Sequence, residues 1–191
     1  MKVTLPYKYR FRRELASFIK QAEPYETVLD IACAGLKFRS FFGPGYTGAD
    51  ILPLPAGTQV RAGDRFITGD LASNPFFLLG EVFDLVVSTH TFAHLPEQGK
   101  FQALSNLRSV MNEESFLIIQ LTKSDWTLLS DEIVSSFNLI KRVVYRGWVS
   151  SVFERFSRNL RKKNVIITAL SYSLSFVDFG SCDVVLLLHP R

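Results

Sequence analysis

Three carboxylates and one hydroxyl close apolar segments in the first half of the chain. Asp30 ends "TVLD", Asp50 ends "YTGAD", Asp70 follows "RFITG", and Ser88 ends "FDLVVS". Segments that are apolar on both faces are typical of buried parallel strands, and parallel sheets bind ligands at the carboxyl ends of their strands. Asp50 lies 20 residues after Asp30, the spacing at which an acid reaches a ribose diol. A carboxylate suits a diol because it accepts two hydrogen bonds, so we expect a ligand that contains a ribose.

The loop "ACAGLKF" after the first segment separates two kinds of cofactor. A dinucleotide carries a pyrophosphate, which the glycines of a G-x-G-x-x-G loop allow the backbone to approach. Here Ala32 and Ala34 stand where glycines are expected, and Gly35 is present. This pattern disfavours a NAD-type oxidoreductase. S-adenosylmethionine has no phosphate, and the alanines are compatible with it if their φ angles are negative, since alanine at positive φ costs about 1 kcal/mol or more.

Two histidines follow the fourth strand-like segment, where His90 and His94 flank "TFA". His90 is a candidate general base that would deprotonate a hydroxyl as it attacks a methyl group, because the pKa range of histidine suits this transfer. The alternative is that His90 packs or orients the cofactor. A sulfonium methyl group is already activated, so positioning alone can also support the reaction. We expect no metal: Cys33 and Cys182 are too few for a zinc site, and Cys33 suits a buried apolar position.

The elements that must position these residues alternate between strand and helix patterns. Apolar spacing predicts an amphipathic helix over Phe11 to Ala22 and another over about Gln98 to Met111, with Phe101, Leu104, Leu107 and Met111 on one side. The apolar stretch that ends at Phe42 is a further helix candidate, as is "LLSDEIVSSF". "FLIIQL", "LIKRVVY" and "CDVVLLLHP" predict later strands. Such alternation indicates a parallel sheet covered on both sides.

Composition is that of one globular domain over residues 1–191, with 47% hydrophobic and 21% charged residues. The 17 phenylalanines suggest a core or pocket rich in aromatic rings. The net charge of +4 permits an anionic partner without requiring one. The first residues lack the apolar core of a signal peptide, and no apolar run approaches the roughly 18 residues of a membrane span. We therefore expect a soluble, cytoplasmic protein.

On its motifs the sequence resembles the class I S-adenosylmethionine-dependent methyltransferases, especially the broad type 11 group. "VLDIACAG", "YTGADI", "GDL" and "FDLVVSTHTFAHLP" resemble the first four motifs of that family, and "LRSVMNEESFLIIQL" the segment after them. The resemblance covers nearly the whole chain. Departures from the pattern are Ala32, Ala34 and Leu36 in place of three glycines, Ala93 in place of an acid, and "NEES" in place of a glycine-containing turn.

The resemblance implies an α/β fold, a Rossmann-like seven-stranded methyltransferase sheet with helices on both faces and a helical insertion between strands 6 and 7, at about 146–180. It implies S-adenosylmethionine as cofactor, with Asp50 on the ribose and Asp70 near the adenine amino group. It places His94 in a hydrogen bond that fixes its own loop. The set of cofactor-binding residues it implies is Asp30, Ala32, Gly35, Asp50, Ile51, Asp70, Leu71 and Ser88, with Asp30, Ala32 and Gly35 beside the methionine part.

The segment "KRVVYRGWVSSVFERFSRNLRKK" contains eight basic residues and one acid. On a helix, Trp148, Val152, Phe156 and Leu160 form an apolar stripe opposite Ser151, Arg155, Arg158 and Lys162. This pattern indicates either a lid that holds an anionic or lipid-like acceptor, with weak contact to anionic membranes, or a lid with a solvated basic face. No nucleic-acid partner is expected, because the sequence contains no recognised nucleic-acid module.

Together these features predict methyl transfer from S-adenosylmethionine to a small-molecule or lipid-like acceptor, with oxygen favoured over nitrogen. The alternative is a catalytically silent protein of the same fold that binds a partner through its basic helix. The irregular first motif keeps this alternative open.

Overall fold

The computed structural model describes residues 6–146 and 182–191, in which seven strands form one sheet. The strands are β1 (Val28–Ile31), β2 (Tyr46–Asp50), β3 (Arg65–Thr68), β4 (Leu85–Ser88), β5 (Phe116–Thr122), β6 (Phe137–Arg146) and β7 (Cys182–Pro190). Their order is β3-β2-β1-β4-β5-β7-β6. The first five strands are parallel, and β7 runs antiparallel to β5 and β6. Strand order reverses between β1 and β4, so a ligand is expected at their carboxyl ends. The predicted seven-stranded sheet is confirmed.

One face of the sheet is covered by α1 (Pro6–Gln21). Its buried residues recur at helical spacing, so the predicted amphipathic helix is confirmed; they are Phe11, Leu15, Phe18 and Ile19, followed by Ala22. They pack against side chains from one side of the sheet, Val28, Leu85, Val87, Ile118, Val185 and Leu187. We call this side the α1 face.

The opposite face is covered by α2 (Glu97–Ser109) and α3 (Lys123–Ser136). The helix α3 begins with a capping box, in which Thr122 and Asp125 each bond the other's backbone N–H. Lys100 of α2 pairs with Asp125, so the same carboxylate joins the two helices. The helix predicted over about Gln98 to Met111 is confirmed, but Phe101 is 42% exposed and is not part of its buried side.

No α-helix follows the loop after β1, and the helix interpretation of the stretch ending at Phe42 is wrong. The chain makes turns and then a short 3₁₀ helix, Arg39–Phe41. A right-handed helix cannot pass through residues at positive φ, and the loop holds several such residues up to Leu36. Arg39 then pairs with Asp64, and its Nη1 donates to the carbonyl of Phe42 at 2.6 Å. These bonds fix the turn in place of a helix.

Apart from Arg146, which ends β6, the predicted insertion at about 146–180 lies outside the described residues, as does most of the basic segment. Within the described ranges, no helix combines the length and apolar character needed to cross a membrane.

Candidate functional site

A cleft of about 280 Å³ opens at the carboxyl ends of β1, β2 and β4, next to the switch point. Most of the predicted cofactor-binding residues line it, namely Ala32, Asp50, Ile51, Asp70 and Leu71. His90 and His94 line it from the turn after β4. The remaining described lining residues are Ile31, Ala49, Gly69, Phe77, Thr91 and Leu95.

Asp50 is the half-buried last residue of β2, and both of its carboxylate oxygens are held by the backbone. Its Oδ2 accepts the N–H of Ala34 at 2.9 Å, and its Oδ1 accepts the N–H of Leu52 at 3.1 Å. Each carboxylate oxygen has a further lone pair, so the oriented group can still accept from two hydroxyls. Asp50, which the sequence predicts to bind a ribose, therefore lies at the wall of the cleft, and its ribose role stays a prediction.

Asp70 is exposed at the cleft, and its Oδ1 accepts the N–H of Ala72 at 2.9 Å. Beside it, the ring of Phe77 lies directly over Gly69: a Cβ at Gly69 would lie 2.5 Å from the ring. Gly69 is thus required for this ring position. Phe77 was not predicted as a site residue, because no spacing rule separates it from the other phenylalanines of the chain. With Ile51 and Leu71, Phe77 gives the cleft apolar walls suited to a flat heterocycle.

The loop after β1 corrects the expectation of negative φ at the two alanines. φ is +58° at Ala32, +45° at Ala34, +71° at Gly35 and +67° at Leu36. The chain therefore adopts left-handed conformations at the positions where the family pattern has glycines. Each non-glycine residue there carries a cost of about 1–2 kcal/mol. The surrounding structure must offset this cost.

Backbone hydrogen bonds hold the loop in this conformation. Ala49 accepts the N–H groups of Ala32, at 2.8 Å, and Cys33, at 3.3 Å, and Cys33 accepts the N–H of Lys37 at 2.9 Å. With the bond from Ala34 to Asp50, these contacts tie the loop to the end of β2. Strain of this kind persists only where neighbouring structure determines the conformation.

The larger side chains of the loop point away from the cleft. Leu36 faces β2, so that a Cβ at Gly48 would lie 2.9 Å from its Cδ2. Phe38 is buried on the α1 face, with its ring centroid 5.9 Å from that of Phe11. Neither residue lines the cleft. The space that a methionine-like group would need is therefore not filled by these side chains.

Asp30, Gly35 and Ser88 were predicted beside the cofactor, and the structure places them outside the lining of the cleft. Asp30 is fully buried and accepts the hydroxyl of Tyr46 at 2.8 Å. Ser88 is also buried and donates to Thr91 at 3.0 Å, which supports the turn after β4. Since no bound ligand tests their contacts, their roles at a cofactor stay predictions.

Burial determines the protonation of two groups behind the loop. It raises the pKa of Asp30 to about 7, against the hydrogen bond from Tyr46, while the nearby Asp50 raises it and Lys37 lowers it. Burial also raises the pKa of the Cys33 thiol to about 11. Cys33 is therefore a protonated core residue at neutral pH, which agrees with its interpretation as a small apolar side chain.

His90 enters the cleft with φ at +60°, a conformation that a non-glycine residue adopts only where its surroundings impose it. Its ring lies 5.6 Å from that of Phe11. The ring is partly open to solvent, yet desolvation by packed protein lowers its pKa, and the positive charge of Lys37 lowers it further. The imidazole is thus neutral at pH 7 and able to accept a proton. His94 is exposed and lines the cleft as well.

The chemistry of the lining residues fits S-adenosylmethionine better than a phosphate-containing cofactor. No lysine or arginine occurs among the described residues that line the cleft, whereas a pyrophosphate needs cations or a glycine-rich nest. A diol acceptor, apolar walls and a neutral base are present instead. No group of three metal-ligating side chains occurs in residues 6–146 and 182–191.

No protein-family model matches the sequence, and no curated protein matches it either. Solved structures do. The N-methyltransferase NodS from Bradyrhizobium japonicum WM9, in complex with S-adenosyl-L-homocysteine, aligns with a TM-score of 0.67 at 15% identity, over 99% of this chain and 90% of NodS. A TehB-like SAM-dependent methyltransferase from Corynebacterium glutamicum aligns with a TM-score of 0.57 at 18% identity, over 97% and 96%.

A third similar structure is the [4+2]-cyclase SpnF, with a TM-score of 0.58 at 10% identity, over 92% of this chain and 79% of SpnF. Together with the strand order, these alignments show that the chain has the fold of the class I S-adenosylmethionine-dependent methyltransferases. At such low identities they show the fold alone. SpnF is named for a cyclisation, so activity must be argued from the site.

Proposed function

We propose that the protein transfers a methyl group from S-adenosylmethionine to a small-molecule or lipid-like acceptor, with oxygen favoured as the acceptor atom. The observation that carries the proposal is the Asp50 carboxylate, fixed by two backbone N–H groups at the wall of an open, largely apolar cleft. The S-adenosyl-L-homocysteine in NodS supports it, because this compound is what S-adenosylmethionine becomes after it donates its methyl group.

Each part of the cofactor has candidate partners in the cleft. Asp50 would accept the ribose hydroxyls, and Asp70 would accept from the adenine amino group, while Ile51, Leu71 and Phe77 would cover the ring. Ala32 would border the methionine part. The bound cofactor would supply an electrophilic methyl group. The chain itself would bind, orient and exclude water.

Oxygen is favoured because His90 is a neutral base in the cleft. A hydroxyl must lose its proton as its oxygen attacks, and the lowered pKa of His90 keeps the imidazole unprotonated near pH 7. NodS is named as an N-methyltransferase, so the fold does not select the acceptor atom. The lipid-like class rests on the basic segment from Lys141 to Lys163, whose charge suits an anionic acceptor.

Calorimetric titration with S-adenosyl-L-homocysteine tests the cofactor site. We expect the wild type to bind, and Asp50→Ala to reduce the affinity at least tenfold, because hydrogen bonds to a charged group are worth about 1.5–3 kcal/mol each. Asp131→Ala is the matched control, since it removes an exposed carboxylate of α3 that does not line the cleft. Equal affinities of Asp50→Ala and the wild type would contradict the assignment of the ribose ligand.

Turnover separates an enzyme from a silent protein of the same fold. Purified protein with radiolabelled S-adenosylmethionine should transfer label either to neutral hydroxyl compounds or to vesicles that contain anionic lipids, and the two arms distinguish the acceptor classes. Binding without transfer to either class would favour the silent alternative. The strained loop after β1 is the described feature that keeps this alternative in view.

A further inference from the structure

Two polar side chains at the carboxyl edge of the sheet lie on the α1 face, the face that His90 also contacts. Gln120 alternates with Ile118 along β5, and Asp183 alternates with Val185 along β7. Ile118 and Val185 pack against α1. Residues two apart in a strand share a face, so Gln120 and Asp183 point to the α1 face as well. Gln120 Nε2 donates to Asp183 Oδ2 at 3.0 Å.

The direction of β7 explains how an acid reaches this edge. Because β7 is antiparallel to β5, its first residues lie beside the last residues of β5, and Asp183 pairs with Thr122. The parallel strands place their final residues there instead. Asp183 could therefore not be predicted from acids at the carboxyl ends of strands, since it lies near the beginning of β7.

His90 reaches the same region from the end of β4, which pairs with β5. Its ring is packed on Phe11 of α1, with 5.6 Å between ring centroids. The Phe11 ring also lies 5.9 Å from the ring of Phe38, and the ammonium group of Lys37 is 4.9 Å from the centroid of the Phe38 ring. His90 therefore lies at the same edge of the sheet and on the same face as Asp183, with the end of β5 between their strands. The charges of Asp183 and Lys37 both act on the imidazole.

We propose that Asp183 is a positioning residue for His90, a carboxylate whose charge stabilises the imidazolium that forms when His90 takes the proton of an acceptor hydroxyl. This inference rests on the proposed function. In the step, the hydroxyl oxygen bonds to the methyl carbon, the bond from that carbon to sulfur breaks, and sulfur keeps the electron pair. The hydroxyl proton moves to the imidazole and later to solvent. Gln120 holds the carboxylate in place through its side-chain amide.

The charged and titratable groups around His90 act on its pKa in opposite directions. Beyond the lowering by burial, Lys37 and His94 lower the pKa, and Asp183 raises it. An acid that raises the pKa makes the base stronger and stabilises its protonated form. The two singly charged neighbours therefore predict shifts of opposite sign when each is neutralised.

The test is an NMR titration of the His90 imidazole, which needs neither cofactor nor acceptor. The chain has 3 histidines, so His94→Gln and His189→Gln assign the signals. We expect Asp183→Asn to lower the pKa of His90 and Lys37→Gln to raise it. Asp131→Asn, which removes a charge of the same sign from the exposed side of α3, should leave it unchanged. Asp183→Glu keeps the charge and should restore most of the wild-type value.

In the active enzyme, the acidic limb of the dependence of kcat on pH should move to lower pH in Asp183→Asn. The affinity of this variant for S-adenosyl-L-homocysteine should be unchanged. A merely structural role would not shift this limb. An unchanged pKa of His90 in folded Asp183→Asn, or a shift of the same sign in Lys37→Gln, would overturn the proposal. Asp183→Ser provides the same comparison if the asparagine variant does not fold. Failure of the wild type to bind S-adenosyl-L-homocysteine would instead count against the proposed function.

Discussion

Asp30 and Asp50 lie on neighbouring parallel strands, and the structure gives the two carboxylates opposite environments. Asp30 is 0% exposed, bonds Tyr46, and has its pKa raised by burial to about 7. Asp50 is half-buried, bonds two backbone N–H groups and lines the cleft. In sequence both are acids that follow an apolar segment. Their spacing therefore does not distinguish a fully buried acid from one that lines a cleft.

Strand register explains the difference. Asp30 pairs with Gly48, so it lies two residues deeper in the sheet than Asp50, which ends β2. At that depth a side chain must point to one face of the sheet, and Asp30 points to the same side as Tyr46, under α1. A residue at the end of a strand can instead face the ligand edge. Depth along the strand, and not residue type, separates the two environments.

The largest expected effect is that Asp30→Asn removes the dependence of the free energy of unfolding on pH that Asp30 causes in the wild type. The folded-state pKa of Asp30 lies above the unfolded value of 3.8, so the folded protein keeps a proton that the unfolded chain releases. The stability that Asp30 contributes is then complete below about pH 4 and is lost as the pH rises to about 7. This pKa change corresponds to up to about 4 kcal/mol.

Urea unfolding of wild type and Asp30→Asn between pH 4 and pH 8 measures this effect. The free-energy difference between the two proteins should change by several kcal/mol in favour of the variant as the pH rises. A difference that stays constant over this range would show that Asp30 is as freely ionised as an exposed carboxylate, and the contrast with Asp50 would fail.

Tyr46→Phe should have an intermediate effect on the same acid. The Oδ1 of Asp30 makes no hydrogen bond within the described part of the chain, so Tyr46 is the side-chain donor that Asp30 has there. Removing the hydroxyl leaves a buried carboxyl group unsatisfied, at a cost of about 1–3 kcal/mol. The bond from Tyr46 lowers the pKa of Asp30, so this pKa should rise further in the variant. The pH-dependent loss of stability should therefore continue to a higher pH in the variant than in the wild type.

The control for Tyr46→Phe is Tyr25→Phe, which removes the hydroxyl of a half-buried tyrosine packed against the core of the α1 face. Thermal unfolding at pH 5 and pH 8 distinguishes the two. The Tyr46 variant should show a larger deficit at pH 8 than at pH 5, and the Tyr25 variant an equal one at both. Equal deficits in the two variants would remove the special role of the Asp30–Tyr46 bond.

The smallest expected effect concerns the loop that holds Asp50. Ala34 is exposed at φ +45° and donates to Asp50, so Ala34→Gly should relieve strain without removing buried contacts. The relief of about 1–2 kcal/mol exceeds the loss of about 0.4–1 kcal/mol from a more flexible unfolded chain. We expect a net gain of about 0.5–1 kcal/mol in the free energy of unfolding.

Ala56→Gly is the matched control, because Ala56 is exposed and is not among the residues at positive φ. It should lower stability slightly, by about 0.4–1 kcal/mol. Denaturant midpoints of the two variants should therefore move in opposite directions from that of the wild type. If both fall, the left-handed conformation of the loop is not a source of strain.

Several residues that line the cleft could be predicted from the carboxyl ends of the strand-like segments. Asp50, Asp70, Ile51 and Leu71 line the cleft as expected, because parallel strands bring their carboxyl ends to one edge. Phe77 could not be predicted, since its position depends on the absence of a side chain at Gly69, a contact between separate segments. Asp183 was missed for a similar reason, because only the antiparallel direction of β7 brings it to that edge.

The sequence by itself determined the strands and α1, because the alternation of apolar residues reflects burial and is local. It also determined the absence of a glycine-rich phosphate loop. Only the tertiary structure decided the backbone of that loop: Ala32 and Ala34 adopt positive φ although their intrinsic preference opposes it. Bonds to Ala49 and Asp50 on the next strand impose this conformation. Such long-range contacts outweigh local backbone preferences of about 1–2 kcal/mol. They form only when the sheet is complete, so the sequence of the loop does not reveal them.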